Sequence, residues 1–181
     1  GGTYSEDAVS KSLYKPANVK DMDKDGSTDD DWRRANVDSV ICNLYKAIQE
    51  IKPWVRFGMG IPGSWSMKSG AASAYSIWAK QGWVDYLNPQ IYWSTKSTRQ
   101  DYDVLCKWWA KTVCENFSNK LPNGQRVHFF ASQAAYGATD PNAGLSGYED
   151  GVVEIQRQID ANRRNLSSGY TGSVFFNTSA Y

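Results

Sequence analysis

An α/β fold with parallel strands is the architecture this sequence predicts, and three observations carry it. From Trp32 onward, apolar residues alternate between faces of helical period and short strand-like runs. The segments between successive runs are long enough for helices of ten or more residues, which calls for right-handed crossovers and parallel pairing instead of hairpins. The run Gly82-Trp83-Val84-Asp85-Tyr86-Leu87-Asn88-Pro89-Gln90-Ile91-Tyr92-Trp93 reads as a buried strand with two unlike faces. Period-two alternation puts Leu87 and Ile91 on one side and Tyr86, Asn88, Gln90 and Tyr92 on the other. Buried amides and phenols are costly unless hydrogen-bonded, so the second face reads as a site lining.

The elements follow in order. Val37, Val40, Ile41, Leu44, Ile48 and Ile51 share one helical face, and that helix ends before Pro53. A strand is expected over 54–61, then a helix over 70–81 closed by Gly82 as a left-handed cap. After the signature strand, Ser97-Thr98-Arg99-Gln100 has the form of a capping box, opening a helix that buries Tyr102, Leu105, Trp109 and Val113. Residues 127–136 read as strand. A helix over 149–164 carries Val152, Ile155 and Ile159 on one face and leads to a final strand near 173–178. Four strands with four helices are too few for a closed eight-stranded barrel, which takes about 250 residues. A half-barrel and a small open sheet both fit.

Composition narrows the function classes. The 181 residues suit one domain, and 41% hydrophobic content supports a core. Lys plus Arg total 20 against 19 for Asp plus Glu, so no global field draws the chain to nucleic acid or an anionic membrane. No apolar stretch reaches the roughly 20 residues of a membrane span, and no signal-peptide pattern is present. Cys42, Cys106 and Cys114 are odd in number and lack metal-ligand spacing, so they read as free thiols. If Cys106 and Cys114 share a helix they lie about 12 Å apart, too far for a bridge. His128, the one histidine, sits inside a strand and reads as packed, which excludes histidine-based triads. Asn116-Phe117-Ser118, Asn165-Leu166-Ser167 and Asn177-Thr178-Ser179 match the glycosylation sequon and are read as chance matches.

Asp31-Trp32-Arg33-Arg34-Ala35-Asn36-Val37 and Lys52-Pro53-Trp54-Val55-Arg56-Phe57-Gly58 resemble the glycosyl-hydrolase-like 10 family, formerly domain of unknown function 187. Gly82-Trp83-Val84-Asp85-Tyr86-Leu87 with Pro89-Gln90-Ile91-Tyr92-Trp93 is similar to the family's central motif. Gln133-Ala134-Ala135-Tyr136 and Ile155-Gln156-Arg157-Gln158-Ile159 continue the match in order, over about 31–176. The resemblance implies a (β/α)₈ barrel from bacteria, usually exported, hence secreted, periplasmic or on the cell surface, and acting on glycosidic bonds. The family's earlier half, with its His-Phe-Asp-Asp-Tyr type motif, has no counterpart here. The expectation is therefore the C-terminal half of a (β/α)₈ barrel at 32–181, preceded by an acidic loop segment at 1–31.

Glycosidic cleavage normally uses two carboxyl groups about 5 to 9.5 Å apart, and no such pair is evident. Asp85 begins its strand, whereas barrel chemistry is built at strand C-termini, so it reads as structural. Asp101 and Asp103 favour a helix's first turn; Asp140 is the least explained acid. Trp65, Gln90, Tyr92, Trp93, Gln133 and Tyr136 are expected at or just beyond strand C-termini, as residues that touch a carbohydrate. Aromatic faces stack on sugar rings, and amides both donate and accept, as sugar hydroxyls do. Core or oligomer packing is the bland reading of the same aromatics. Pro89 inside a strand signals a bulge that would re-aim Gln90.

Gly58-Met59-Gly60-Ile61-Pro62-Gly63 matches the dinucleotide fingerprint literally but lacks the acid that should end the next strand, so it is rejected. Gly58 and Gly60 instead relieve crowding on the inward face, where Arg56 needs a carboxylate partner from the absent half. Asp21, Asp23, Asp25 and Asp29 fall at positions one, three, five and nine of a calcium loop over 21–32, with Gly26 at six. Position twelve is Trp32, and a solvated acidic turn is the competing reading. No cofactor is required, and a structural calcium at this loop is an optional addition.

The function expected is the substrate-binding half of a glycoside hydrolase-like domain acting on an oligo- or polysaccharide, inactive alone. A noncatalytic carbohydrate-binding or scaffold domain is the alternative. Exposed half-barrel edges would also allow a homodimer.

Overall fold

A computed structural model describes residues 7–13, 29–64, 71–111, 127–140, 142–166 and 170–177. Strands β1 (Gly58–Pro62), β2 (Tyr86–Gln90), β3 (His128–Ala134) and β4 (Tyr170–Phe176) form one sheet in the order β1-β2-β3-β4. Every neighbouring pair is parallel. The helices are α1 (Asp7–Leu13), α2 (Asp29–Ile51), α3 (Ala71–Gln81), α4 (Tyr102–Trp108), α5 (Tyr136–Thr139) and α6 (Val152–Arg164). The class is α/β, and four parallel strands in sequence order with intervening helices have the architecture of half a (β/α)₈ barrel.

Alternation decides which side is core. Leu87, Ile91, Phe129 and Ala131 are fully buried with Leu105, Cys106, Trp109 and Ala161, so one face of the sheet packs on α4 and α6. Tyr86 and Phe130 stand on the opposite face, their rings edge to face with centroids 5.5 Å apart. The flanking strands make room for them. A Cβ on Gly58 would lie 2.3 Å from the Tyr86 ring, and one on Gly172 would lie 3.2 Å from Phe130. The crowding expected at Gly58 is thus real, whereas Gly60 faces open space. Gly82 has the positive φ of 69° expected of its cap.

Several expectations are corrected. The strand after α2 begins at Gly58 because Val55 N donates to Lys52 O, closing a turn through Pro53, and Trp54 is exposed. Arg56 therefore precedes β1 and is 74% exposed, and its partner is Asp85 of this chain at 3.3 Å. His128 opens β3 and is exposed instead of packed. Ser97 Oγ does accept from Gln100 N at 3.1 Å, yet α4 starts at Tyr102 with Asp101 as its N-cap, accepting from Val104 N at 3.0 Å. Pro89 keeps β2 in constant register with both neighbours; the register shift lies at Phe129/Phe130 of β3. The N-terminal segment read as loop contains α1, whose Lys11 pairs with Asp29.

Two helices bury faces other than those their apolar spacing suggests. On α2 only Ile41 of the six expected residues is in the core, and Val37, Val40, Leu44 and Ile51 are exposed. Leu44, Ala47, Ile48, Ile51 and Val55 line an uncovered apolar depression of about 250 Å³. On α6 the core-facing residues are Glu154, Gln158, Ala161 and Asn162, while Val152 and Val153 point to solvent. Val113 and Cys114 fall outside the described residues; Cys42 and Cys106 are free thiols.

Candidate functional site at the C-terminal mouth of the sheet

Pro62 pairs with Gln90, Gln90 with Ser132, and Ala134 with Phe176, so the strand C-termini reach one common rim. Chain leaving that rim carries three aromatic rings that meet. Tyr92, just past β2, stacks on Phe176 at 6.0 Å with 18° between planes. Tyr136, just past β3, stands edge-on to both, 6.2 Å from Tyr92 and 6.2 Å from Phe176. The Tyr92 hydroxyl lies 3.5 Å from Ser132 Oγ. Burial raises the Tyr136 phenol above its ordinary pKa, and neighbouring Tyr92 adds to the shift. Both rings are only partly buried.

Beside the triangle runs a groove of about 620 Å³. One wall is the segment after β2, with Tyr92, Trp93, Lys96, Ser97, Arg99 and Gln100; the other is Gly144, Leu145 and Ser146 before α6. The lining offers hydroxyls, an amide, an indole and two cationic side chains, and it contains no carboxylate. Lys96 is held by Asp150 at 2.9 Å, which also pairs with Arg157 at 2.6 Å. Those two cations hold the Asp150 carboxyl below its ordinary pKa.

Of the residues singled out in the sequence, Gln90, Tyr92, Trp93 and Tyr136 come together at this rim. Gln90 is exposed at the end of β2, with no side-chain hydrogen bond among the described residues. Trp93 packs partly against the core and lines the groove. Gln133 does not join them. It is fully buried on the helix side of β3, donating to Gln158 Oε1 at 3.4 Å and accepting from Asn162 Nδ2 at 3.2 Å. Trp65 and the acids Asp21, Asp23 and Asp25 lie outside the described residues, while Asp29 opens α2. Phe176 was missed, although its place at the end of the last strand obeys the rule that found Tyr92.

Several acids in the segments that follow the strands already serve structure. Asp140 accepts from Asn142 N at 2.8 Å in a turn, Asp101 caps α4, and Asp103 pairs with Arg164 at 3.1 Å. Glu154 is fully buried and accepts from Thr95 N at 2.7 Å and Thr95 Oγ1 at 2.8 Å. At the other end of β2, Asp85 is buried and accepts from Phe57 N at 2.8 Å, the structural role expected of it. No cluster of three or more metal-ligating side chains occurs among the described residues.

Parallel strands in sequence order whose C-terminal rim gathers aromatic rings beside a polar groove define the class: an α/β domain with the architecture of half a (β/α)₈ barrel. The Glycosyl hydrolase-like 10 family matches residues 3–136, and the chain belongs to that family. It is similar to Glycosyl hydrolase DigH of Escherichia coli (strain K12), 33% identical over 150 residues covering 73% of this chain and 32% of DigH. It is also similar to Glycosyl hydrolase YngK of Bacillus subtilis (strain 168), 34% identical over 151 residues covering 75% of this chain and 27% of YngK. The chain thus spans about a third or less of the length of these curated relatives.

Proposed function

We propose that this chain is the C-terminal, substrate-binding half of a (β/α)₈ glycoside hydrolase domain acting on an oligo- or polysaccharide. In this reading Tyr92, Tyr136 and Phe176 present ring faces to sugar C–H surfaces. Gln90 and the groove's hydroxyls exchange hydrogen bonds with sugar hydroxyls, and Trp93 shapes the groove. The observation that carries it is the aromatic triangle at the strand C-termini, beside a groove lined without a carboxylate. Hydrolysis needs a carboxyl pair, so the reading assigns that pair to strand units beyond these four. The length of the relatives and the uncovered apolar face of α2 support it.

Titration of the 181-residue chain with chitotriose and cellotriose, alongside a reducing-end assay, tests the proposal. Binding without turnover is expected, with turnover appearing in the longer polypeptide and lost on replacing an upstream acid. Turnover by the 181-residue chain itself would refute the division of labour. A noncatalytic carbohydrate-binding domain is the second reading, favoured by a groove whose described lining holds no carboxylate; binding with no turnover at any length would establish it.

Three further expectations belong to this proposal. Export to the periplasm or cell surface follows the family resemblance; among the described residues no helix is long and apolar enough to cross a membrane. A calcium ion at 21–32 rests on the acid spacing alone, and a melting temperature indifferent to calcium would remove it. A second copy on the edges of β1 and β4, which have no further strand partner among the described residues, is the alternative to additional strand units, and a monomer in sedimentation would dismiss it.

A further inference from the structure

The core-facing side of α6 reads Glu154, Gln158, Asn162 and Asn165, three or four residues apart, where a helix packed on a sheet ordinarily places aliphatic residues. Buried polar side chains weaken a fold unless each finds a partner, and every one of these does. Glu154 accepts from the amide and the hydroxyl of Thr95, from Gln158 Nε2 at 3.0 Å and from Arg157 at 3.4 Å. Gln158 Nε2 donates to the Tyr148 hydroxyl at 2.9 Å and reaches the Trp93 carbonyl at 3.5 Å, while its Oε1 accepts from Gln133. Asn162 joins Gln133 to Tyr102 at 2.9 Å, Cys106 at 3.1 Å and Ser173 at 2.9 Å. Asn165 ends the row, donating to Ala161 O at 2.8 Å.

The row has a direction. Its lower members fasten α6 to α4, β3 and β4, whereas its upper members fasten the two segments that form the groove's opposite walls. Trp93 lines the wall after β2, and Thr95 lies in the same segment one residue before Lys96; Tyr148 lies two residues beyond Ser146 of the other wall. Aliphatic residues would pack α6 as tightly but would leave the Thr95 N–H without its acceptor and remove the ties from α6 to both segments, leaving the exposed Lys96–Asp150 pair to hold one to the other.

We infer that Glu154 and Gln158 are positioning residues that set the width of the sugar groove by tying both of its walls to one turn of α6. This rests on the reading of that groove as the sugar site only for its consequence, since the tie itself is independent of any ligand. It also separates Glu154 from the catalytic role that its place near the strand C-termini invites: all four of its hydrogen bonds are to the chain's own groups, and it is sealed from the groove.

Hydrogen exchange followed by mass spectrometry on the 181-residue chain tests the inference, with Gln158→Leu, Glu154→Gln, Thr95→Val and Thr95→Ser. Gln158→Leu and Glu154→Gln are expected to speed exchange about tenfold in peptides covering 92–97 and 145–150 together, with 58–62 and 128–134 unchanged. Thr95→Val is expected to loosen only 92–97, and Thr95→Ser, which keeps the hydroxyl, to restore protection. Acceleration confined to 152–164, or spread evenly over the sheet, would overturn the tie. If Gln158→Leu fails to fold, the contrast between Thr95→Val and Thr95→Ser, repeated with Tyr148→Phe on the other wall, decides it. Chitotriose titration of the same variants separates the two ideas. Loosened walls with weakened binding support both, whereas loosened walls in a chain whose unaltered form never binds sugar uphold the tie and end the sugar reading.

Discussion

The Asn88 side-chain amide donates to the Phe130 carbonyl at 2.6 Å, the acceptor that Pro89 leaves without its ladder donor. Ile91 N donates to Ser132 O at 3.0 Å, which sets the phase of the β2-β3 ladder. Two residues earlier the same phase directs the backbone of residue 89 at Phe130 O, and proline has no N–H to give. Asn88 supplies it from the side chain, which is how a proline is tolerated in a central strand without a bulge.

The Asn88-Pro89 pair therefore acts as a unit, and a double-mutant cycle exposes it. Asn88→Ala strands a part-buried carbonyl and is expected to cost about 1 kcal/mol in urea unfolding. Adding Pro89→Ala returns a backbone donor to the same oxygen, so the double variant should recover much of that loss. A double variant no more stable than Asn88→Ala would show that the amide serves something else.

The glycines after α2 make a second, contrasting prediction. A Cβ at Gly63 would sit 2.3 Å from Gln90 O and 2.8 Å from Ile91 N, both backbone atoms that cannot step aside, and Gly63 O already accepts from Trp109 Nε1 at 2.8 Å. Gly63→Ala should lower stability by about 1 to 3 kcal/mol through overpacking. Gly60 meets nothing within 4 Å, so Gly60→Ala in an extended strand should leave the melting temperature within a few degrees or raise it. Equal losses at both positions would contradict this geometry.

What the sequence made legible was set by period. The alternation of Leu87 and Ile91 against Tyr86, Asn88, Gln90 and Tyr92 gave the strand and its faces, and the spacing of crossovers gave the parallel sheet. Tyr92 and Tyr136 could be placed at the rim because strand C-termini follow from the same period. The polar residues were harder. Asn88 and Gln133 look like ligand contacts in sequence, yet one replaces a proline's missing donor and the other meets Gln158 and Asn162 from α6. Such partners are 25 to 42 residues away, and no local pattern announces them. Helix α6 misleads for the same reason: Val152, Ile155 and Ile159 have the spacing of a buried face, but the core side is polar because partners for it exist on α4, β3, β4 and the segments after β2 and before α6. Helix α2 misleads differently, since its apolar stripe has the expected period while nothing among the described residues covers it.

Tyr148 gives the chain a defined alkaline limit. Burial pushes its phenol from an ordinary value near 10 to about 12, Glu154 and the neighbouring tyrosines oppose ionisation further, and the Gln158 hydrogen bond offsets part of the shift. The pKa is higher folded than unfolded, so the unfolded chain loses its proton first as pH rises. Stability is fully present below pH 10 and falls until the folded group ionises near 12, by about 3 kcal/mol for this one side chain. Urea midpoints measured at pH 8 and pH 11 should diverge less in Tyr148→Phe than in the unaltered chain. Identical divergence would assign the effect to other groups, Tyr75 and Tyr136 first, whose phenols are also raised by burial.

In the proposed site Tyr92 and Phe176 divide the sugar-binding work. Their stacked rings, 6.0 Å apart, are worth about 0.5 to 1.5 kcal/mol beyond simple burial, and that energy holds the Tyr92 ring in one orientation. Tyr92→Ala removes both the ring and the orientation, and should weaken chitotriose or cellotriose binding about tenfold or more in calorimetric titration. Phe176→Ala leaves Tyr92 in place but free to turn, so a smaller loss with a less favourable binding entropy is expected. Tyr92→Phe keeps the stack and gives up only the 3.5 Å approach to Ser132 Oγ, a contact too long to carry much energy, and should bind within about twofold of the unaltered chain. Tyr92→Phe binding as poorly as Tyr92→Ala would move the recognition from the ring face to the hydroxyl, and with it the part of the sugar that the mouth reads.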